Sequence, residues 1–255
     1  ELETFFETVR EPRSGFAKVE QRAEKLFDGD PKALTTHLDG MKDSTGGRPV
    51  IQLNHPRWGA DESASLPANL RGRDYGQKSY KSAAEWRDNF GKFASQIEII
   101  NGDALKPSGL IDVKHVHTDA YHGYIDKGLH LSTTFGRDFH YGDPGGTKAA
   151  TGIMTSGLNK PAIMDALRER RTIATTNKEL LSGRMTANDK PMGSILDQAR
   201  DHDLNINMHV EGKVTAEAEY TATLWGDKKI GDKNLADVLQ SKTVTGAELA
   251  KSGNV

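Results

Sequence analysis

Residue types that can hold a metal ion recur where predicted strands end. His55 follows the apolar run 50–53, and Glu98 lies inside a second, isoleucine-rich run. Asp138 and His140 follow a third. Imidazole nitrogens and carboxylate oxygens are ligands that zinc, manganese and iron accept. A carboxylate within an apolar strand is costly to bury unless it is paired or bound to a metal, so Glu98 is the most informative of the four.

Each of these residues also has a purely structural interpretation. His55 is compatible with an ordinary turn before Pro56, and Glu98 with a salt bridge to an arginine. An Asp-x-His tripeptide is a weak signal by itself. Three such features at three successive strand ends nevertheless favour a metal site, because the C-terminal ends of parallel strands meet at one edge of an α/β fold.

A fourth feature is the pair His115 and His117. On an extended segment, residues i and i+2 point the same way, so the two rings can grip one metal from one side. The segment 103–118 is long for a connection in a compact domain, and such loops are often functional. A solvated loop that happens to contain two histidines explains the pattern equally well.

The elements that must position these residues alternate between strand and helix from about residue 45 to residue 176. Such alternation is typical of parallel βαβ units and predicts the α/β class. A complete (β/α) barrel needs about eight units and about 250 residues, so roughly half a barrel is expected here. The predicted strands are 50–53, 96–100, 129–135 and 172–176. The predicted helices among and before them are 18–27, 32–42, 80–95, 119–127 and 159–170.

The pattern changes after residue 180. Residues 204–210 and 214–224 alternate apolar and polar side chains around Glu211-Gly212-Lys213, which predicts an antiparallel β-hairpin. A weak helical pattern, LADVLQS, follows in a polar C-terminal stretch. We therefore divide the chain into a barrel part (1–180), a β-rich appendage (181–235) and a polar tail (236–255).

Composition excludes several classes of function. The 255 residues include no cysteine, which rules out disulfides, a thiol nucleophile and thiolate zinc sites. The net charge of −2 favours neither nucleic acid nor an anionic membrane as partner, and the expected partner is a small-molecule substrate. Without a membrane-length apolar run, a soluble protein is expected. The compartment stays open, with a secreted or periplasmic location preferred.

The motifs VIQLNHPRWG, IEIING, GLHLSTTFGRDFH and DALRERRTIATT, followed by KPMGS, stand in that order over about 50–195. This series resembles the PHP (polymerase and histidinol phosphatase) superfamily, in its carbaryl-hydrolase-like branch of metallohydrolases. The resemblance implies a distorted (β/α)₇ barrel with two or three divalent metal ions, Zn, Mn or Fe. It also implies that His55, Glu98, Asp138 and His140 are metal ligands.

The chain departs from the family pattern in two places. The family opens with a strand that ends in His-x-His, and residues 1–45 supply no such motif. The family's last motif reads Gly-x-Ser-Asp-x-His, whereas Arg137 directly follows Gly136 here. His115 and His117 are candidates to replace the first motif in part. We otherwise expect a preceding N-terminal segment, a second chain or a homo-oligomeric contact to complete the barrel.

The resulting hypothesis is a hydrolase that cleaves a phosphoester, carbamate or aryl ester with a metal-activated water. Asp138 would bridge or orient the water, and His140 with His55 would complete the metal shell. Arg57 and Arg137 are candidate contacts to an anion or oxyanion, since guanidinium offers a planar fork of donors; salt bridges explain both arginines equally well. The alternative is a non-catalytic binding or structural protein of the same fold.

Overall fold

A computed structural model describes residues 31–42, 45–56, 75, 77, 80–102, 116–137, 148–179, 182–196, 204–230 and 233–253. The chain divides into two compact units, which are described separately. The first comprises Glu1–Pro49 and Asp74–Phe93, and the second comprises Val50–Arg73 and Ala94–Val255.

Helices and sheets are combined in the described part of the chain, as the α/β class predicts. The helices are α1 (Pro31–Gly40), α2 (Ala83–Asn89), α3 (Thr118–Asp126), α4 (Lys160–Arg168) and α5 (Gly246–Ser252), with one 3₁₀ turn at Gly91–Phe93. The strands are β1 (Ile51–Leu53), β2 (Ala94–Asn101), β3 (Ser132–Gly136), β4 (Ala150–Ile153), β5 (Thr172–Thr175), β6 (Ser182–Ala187), β7 (Lys190–Pro191), β8 (Ile206–Glu211), β9 (Glu219–Ile230) and β10 (Lys233–Thr245).

In the first unit, α2 is shorter than the predicted helix 80–95. Ser82 caps it by accepting a hydrogen bond from the backbone of Glu85, a standard N-terminal signal. Trp86 is fully buried and donates its indole N–H to the carbonyl of Tyr75. The helix gives way to the 3₁₀ turn at Gly91, since glycine weakens a helix interior.

The second unit contains the parallel sheet that the alternating pattern predicts. Its order is β1-β2-β3, and β2 is the buried central strand. α3 precedes β3 and ends before Gly128, whose φ of 85° suits the predicted C-terminal position. α4 begins directly after its Asn159 cap and has Pro161 in its first turn, as predicted. The three strands run in one direction, so their C-terminal ends share one edge of the sheet.

The expectation of a fourth parallel strand at 172–176 is wrong. β5 forms its ladder with β4, antiparallel, in a separate two-stranded sheet. β4 itself has no counterpart among the strands predicted from sequence. β5 still lies beside β3, where Thr133 Oγ1 accepts from the backbone of Ala174 at 3.1 Å. Thr172 Oγ1 donates to the carbonyl of Thr133 at 3.0 Å. Hydrogen bonds of side-chain hydroxyls thus replace part of the backbone ladder between β3 and β5. The described strands do not close into a barrel.

The predicted hairpin 204–224 is also wrong in its pairing, although the strands themselves form. β8 pairs with β6, and β9 pairs with β10 over almost its whole length. Alternation identifies a half-buried strand, but it does not identify the partner. The weak helical pattern LADVLQS lies within β10, which continues across residue 236, where we placed the start of the polar tail. α5 then begins with a capping box formed by Thr245 and Glu248.

The hairpin β9–β10 contacts α3. The His122 ring lies 4.4 Å from the Trp225 ring, centroid to centroid, and Asp126 accepts a hydrogen bond from the backbone of Ala236 at 2.9 Å. Burial lowers the pKa of His122, against the opposite influence of Asp126 and Asp119. The folded state therefore favours the neutral ring. The contribution of His122 to the free energy of unfolding is complete above the ordinary histidine pKa of 6.5. It is lost as the pH falls through the lowered pKa of the folded state.

This linkage predicts that the free energy of unfolding of the full chain decreases between pH 7.5 and pH 5.5, and that His122→Phe removes part of the decrease. Phe retains the ring contact with Trp225 but does not titrate. Urea unfolding at both pH values measures the effect, with the exposed His37 changed to Asn as the control. An identical pH dependence in wild type and His122→Phe would show that His122 is not responsible.

Candidate functional site

His55 and Glu98, the first two predicted ligands, lie in direct contact at the C-terminal edge of the parallel sheet. His55 Nδ1 is 3.1 Å from Glu98 Oε2, and the backbone N–H of His55 donates to the same oxygen at 2.8 Å. The residues stand 43 positions apart in sequence. The adjacent parallel strands β1 and β2 bring them together, because β1 ends at Leu53 beside Ile97.

Glu98 lies on a polar face of the sheet. The parallel register pairs Gln96 with Ser132 and Glu98 with Thr134, so the four side chains share one face. All four are buried, and Glu98 is only 2% exposed. Thr134 Oγ1 has no hydrogen-bond partner among the residues that the structure describes. Gln96, Ser132 and Glu98 have hydrogen-bond partners within the protein, as buried polar groups require.

The backbone of His55 is strained. Its φ is 51°, in the left-handed region that a non-glycine residue rarely adopts. Pro56 follows, and proline restricts the conformation of the residue before it. Left-handed non-glycine residues cost roughly 1–3 kcal/mol and cluster at functional sites. Here the N–H bond to Glu98 helps to hold the strained conformation and keeps the imidazole beside the carboxylate.

Asn101 is a third member of the site that sequence analysis did not identify. Its Nδ2 lies 3.0 Å from His55 Nδ1 and donates to Glu98 Oε1 at 3.3 Å. Residues three apart on a regular strand point to opposite faces. A register shift between Glu98 and Ile100 breaks that rule, since a β-bulge re-aims the side chains around it. The sequence shows Asn101 only as half of an Asn-Gly turn.

Gly136 leaves room for the carboxylate. Residue 136 pairs with Asn101 in the β2–β3 register. A Cβ added there would lie 1.8 Å from Glu98 Oε1, far inside any real contact. Gly102 is comparably tight, since a Cβ there would lie 1.5 Å from the Arg137 carbonyl oxygen. The two glycines therefore allow the ends of β2 and β3 to approach closely around Glu98.

The hydrogen-bonding pattern is compatible with a cation. The Asn101 amide donates to Glu98, and turning it would place Oδ1 against that carboxylate. In this orientation the single lone pair of an unprotonated His55 Nδ1 accepts from the amide. A cation held between Nδ1 and Glu98 Oε2 would take the place of that hydrogen bond.

Two of the other predicted site residues, Arg137 and His117, lie within the described part of the chain. Arg137 follows β3 at the same sheet edge and is half-buried. His117 precedes α3, and its backbone N–H donates to the carbonyl of Ile99 at 2.7 Å, one residue from Glu98. The backbone of His117 thus lies beside the strand that carries Glu98. Across the part of the chain that the structure describes, no three His, Asp or Glu residues form a group that could hold a metal. Arg57, His115, Asp138 and His140 lie outside the described residues.

Asn101 provides a prediction about metal affinity. Asn101→Ala removes the donor shared by His55 and Glu98, and such supporting contacts typically contribute about 10–100-fold in metal affinity. We expect a decrease of that size for Zn²⁺ or Mn²⁺, measured by isothermal titration. Asn54→Ala is the matched control, because Asn54 lies at the same edge and its Oδ1 accepts from Gln52 Nε2. Equal affinity in wild type and Asn101→Ala would show that the amide does not support a metal ligand.

Comparison with protein-family models, curated proteins and solved structures gives no match for the chain. Within the described residues, no helix is long and apolar enough to cross a membrane.

Proposed function

We propose that the chain carries part of the active site of a metal-dependent hydrolase that acts on a phosphoester, carbamate or aryl ester. The observation that carries this proposal is the contact of His55 with the buried carboxylate of Glu98 at the C-terminal edge of a parallel sheet. This edge is where α/β enzymes assemble their sites. In this proposal the sheet is part of a distorted (β/α)₇ barrel of PHP type.

In this proposal His55 and Glu98 hold a divalent ion, Zn, Mn or Fe, together with Asp138 and His140. Imidazole and carboxylate donors suit all three metals. Such an ion lowers the pKa of water to about 7 and polarises a scissile C=O or P=O. Asn101 keeps the imidazole and the carboxylate in position. Arg137, which follows β3 at the same edge, would bind an anionic or developing oxyanion group of the substrate.

The proposal is tested by metal content and hydrolysis together. The full chain is loaded with Zn²⁺, Mn²⁺ or Fe²⁺, dialysed, and assayed on 4-nitrophenyl acetate and bis(4-nitrophenyl) phosphate. We expect bound metal, hydrolysis of at least one substrate, and loss of both in His55→Ala. His209→Ala is the control, because His209 also pairs with a glutamate, Glu211, at 2.8 Å but on a different sheet, in strand β8. Hydrolysis that survives in His55→Ala contradicts the proposal.

The alternative is a non-catalytic protein of the same fold that binds a ligand or has a structural role. This alternative is favoured because the described residues place only two candidate ligands together, His55 and Glu98, with no third His, Asp or Glu beside them. The same experiment separates the two functions. Metal binding that depends on His55 without hydrolysis of either substrate supports the non-catalytic alternative.

A further inference from the structure

A cavity in the second unit is lined by residues between positions 121 and 196, and neither His55 nor Glu98 is among them. Its volume is about 440 Å³, within the usual range of small-molecule sites. The wall combines residues from α3, from the start of β3, from β5 and from the segment 192–196. Its apolar side chains include Ile125, Leu129, Leu131, Ile173, Met185 and Met192.

The cavity also has a charged wall residue, Arg170. A guanidinium stays charged at physiological pH and presents five N–H donors. Arg170 Nη2 donates to the carbonyl of Gly193 at 2.7 Å, which joins two sides of the wall. The described residues that line the cavity include no aspartate or glutamate. Arg170 thus gives the described wall a positive charge, which its hydrogen bonds to the carbonyls of Gly193 and Arg168 do not neutralise.

Backbone geometry shows that this wall is tightly built. Arg170 has a φ of 60°, and Gly193 has a φ of 84°. A Cβ at Gly193 would lie 1.8 Å from the carbonyl oxygen of Glu169. Only glycine allows the segment around residue 193 to approach this closely in that conformation. The position of the guanidinium beside the apolar wall is thus set by the packing of two backbones.

A second cavity extends the apolar region. It measures about 420 Å³ and shares Thr133, Ile173, Met185 and Met192 with the first. Three of the six methionines of the chain line it, since Met208 joins Met185 and Met192. Met185 and Met208 are direct cross-strand partners in β6 and β8. Methionine is flexible and polarizable, and it is common on surfaces that accommodate apolar ligands of variable shape.

We propose that these adjoining cavities bind a medium-chain aliphatic carboxylate, with its carboxylate at Arg170 and its chain along the methionines. A single anionic group matches Arg170, the one arginine among the described residues that line the first cavity, and an apolar tail matches the aliphatic and methionine side chains. Arg184 lines the second cavity, so the tail would run past a second positive charge there. Arginine and carboxylate form charge-assisted hydrogen bonds, which are about twice as strong as neutral ones. The site is independent of the metal site and of its chemistry.

The test uses decanoate as the ligand and the full chain labelled with ¹³C at the methionine methyl groups. Decanoate is expected to shift the signals of Met185, Met192 and Met208, assigned by single substitutions. Arg170→Gln is expected to weaken decanoate about tenfold or more and to leave 1-decanol, which lacks the charge, unchanged. Arg171→Gln is the matched control, because Arg171 pairs with Glu169 at 2.7 Å and does not line the cavity.

A second variant covers the case in which Arg170→Gln disturbs folding. Ser194 lines the cavity and is exposed, so Ser194→Glu places a negative charge there without breaking the contacts of Arg170. We expect weaker binding of decanoate and unchanged binding of decanol. Three results overturn the proposal: no shift of the three methionine signals, equal loss in Arg170→Gln and Arg171→Gln, or equal affinity of Ser194→Glu and wild type for decanoate.

Discussion

Glu98→Gln is expected to abolish metal binding and to reduce hydrolysis by about a thousandfold, since a bound metal contributes several kcal/mol to the transition state and each 1.36 kcal/mol is a factor of ten. Glutamine keeps the shape of the side chain but loses the negative charge. The change also replaces the carboxylate oxygen that accepts from the backbone N–H of His55 and lies 3.1 Å from its ring Nδ1. Metal stoichiometry by elemental analysis and initial rates on the two nitrophenyl substrates measure the effect.

The control for Glu98→Gln is Glu211→Gln. Glu211 forms the other described histidine–glutamate contact, with His209 at 2.8 Å, but its side chain is 63% exposed, whereas that of Glu98 is 3% exposed. The control is expected to keep wild-type metal content and rates. If Glu98→Gln and Glu211→Gln behave alike, the burial of Glu98 has no role in metal binding.

Gly136→Ala is expected to destabilise the chain by about 1–3 kcal/mol, the usual range for overpacking, and to lower metal affinity. The added Cβ would overlap Glu98 Oε1, so the carboxylate must move away from His55 and Asn101. Urea unfolding reports the stability, and isothermal titration reports the affinity. Both effects have one cause in this account, namely displacement of the Glu98 side chain.

Two further variants isolate that cause. Gly40→Ala is the control for a glycine substitution, because nothing lies within 4 Å of a Cβ at Gly40. It should be close to neutral in stability and metal affinity. Glu98→Ala removes the carboxylate that would clash with the methyl group of Gly136→Ala. The double variant should therefore lose less stability than the sum of the two single variants. Strict additivity would mean that the cost of Gly136→Ala arises elsewhere.

The juxtaposition of His55 and Glu98 was predictable from sequence, and that of Asn101 was not. The apolar runs around the first two identify parallel strands, and parallel strands bring their C-terminal ends together. Asn101 joins the pair only because of the register shift after Glu98. Nothing in the local pattern of alternating side chains predicts where a bulge occurs.

The pairing of strands was the main part of the fold that sequence did not reveal. Residues 204–210 and 214–224 have the alternation of strands, and β8 and β9 form there. Each strand takes a partner other than the one we expected, because burial against the rest of the unit decides the pairing. β5 likewise takes β4 as its partner, and its contacts to β3 run through Thr133 and Thr172.

The resemblance to the PHP superfamily remains a prediction, and two of its four implied ligands are now adjacent in space. His55 and Glu98 lie in contact at 3.1 Å, and their role as metal ligands stays a prediction. Asp138 and His140 lie outside the described residues, as do His115 and Arg57. Their roles as ligands or substrate contacts stay predictions, and so do those of His117 and Arg137. The central claim therefore depends on what binds between His55 and Glu98.

The most direct test of that claim is anomalous X-ray diffraction at the zinc edge from crystals of the full chain grown with Zn²⁺. The account predicts an anomalous peak about 2.0–2.2 Å from both His55 Nδ1 and Glu98 Oε2, the usual range for zinc ligands. The Asn101 amide should still donate to Glu98. An absence of any peak between these two side chains, with zinc bound elsewhere in the same crystal or not at all, would contradict the account.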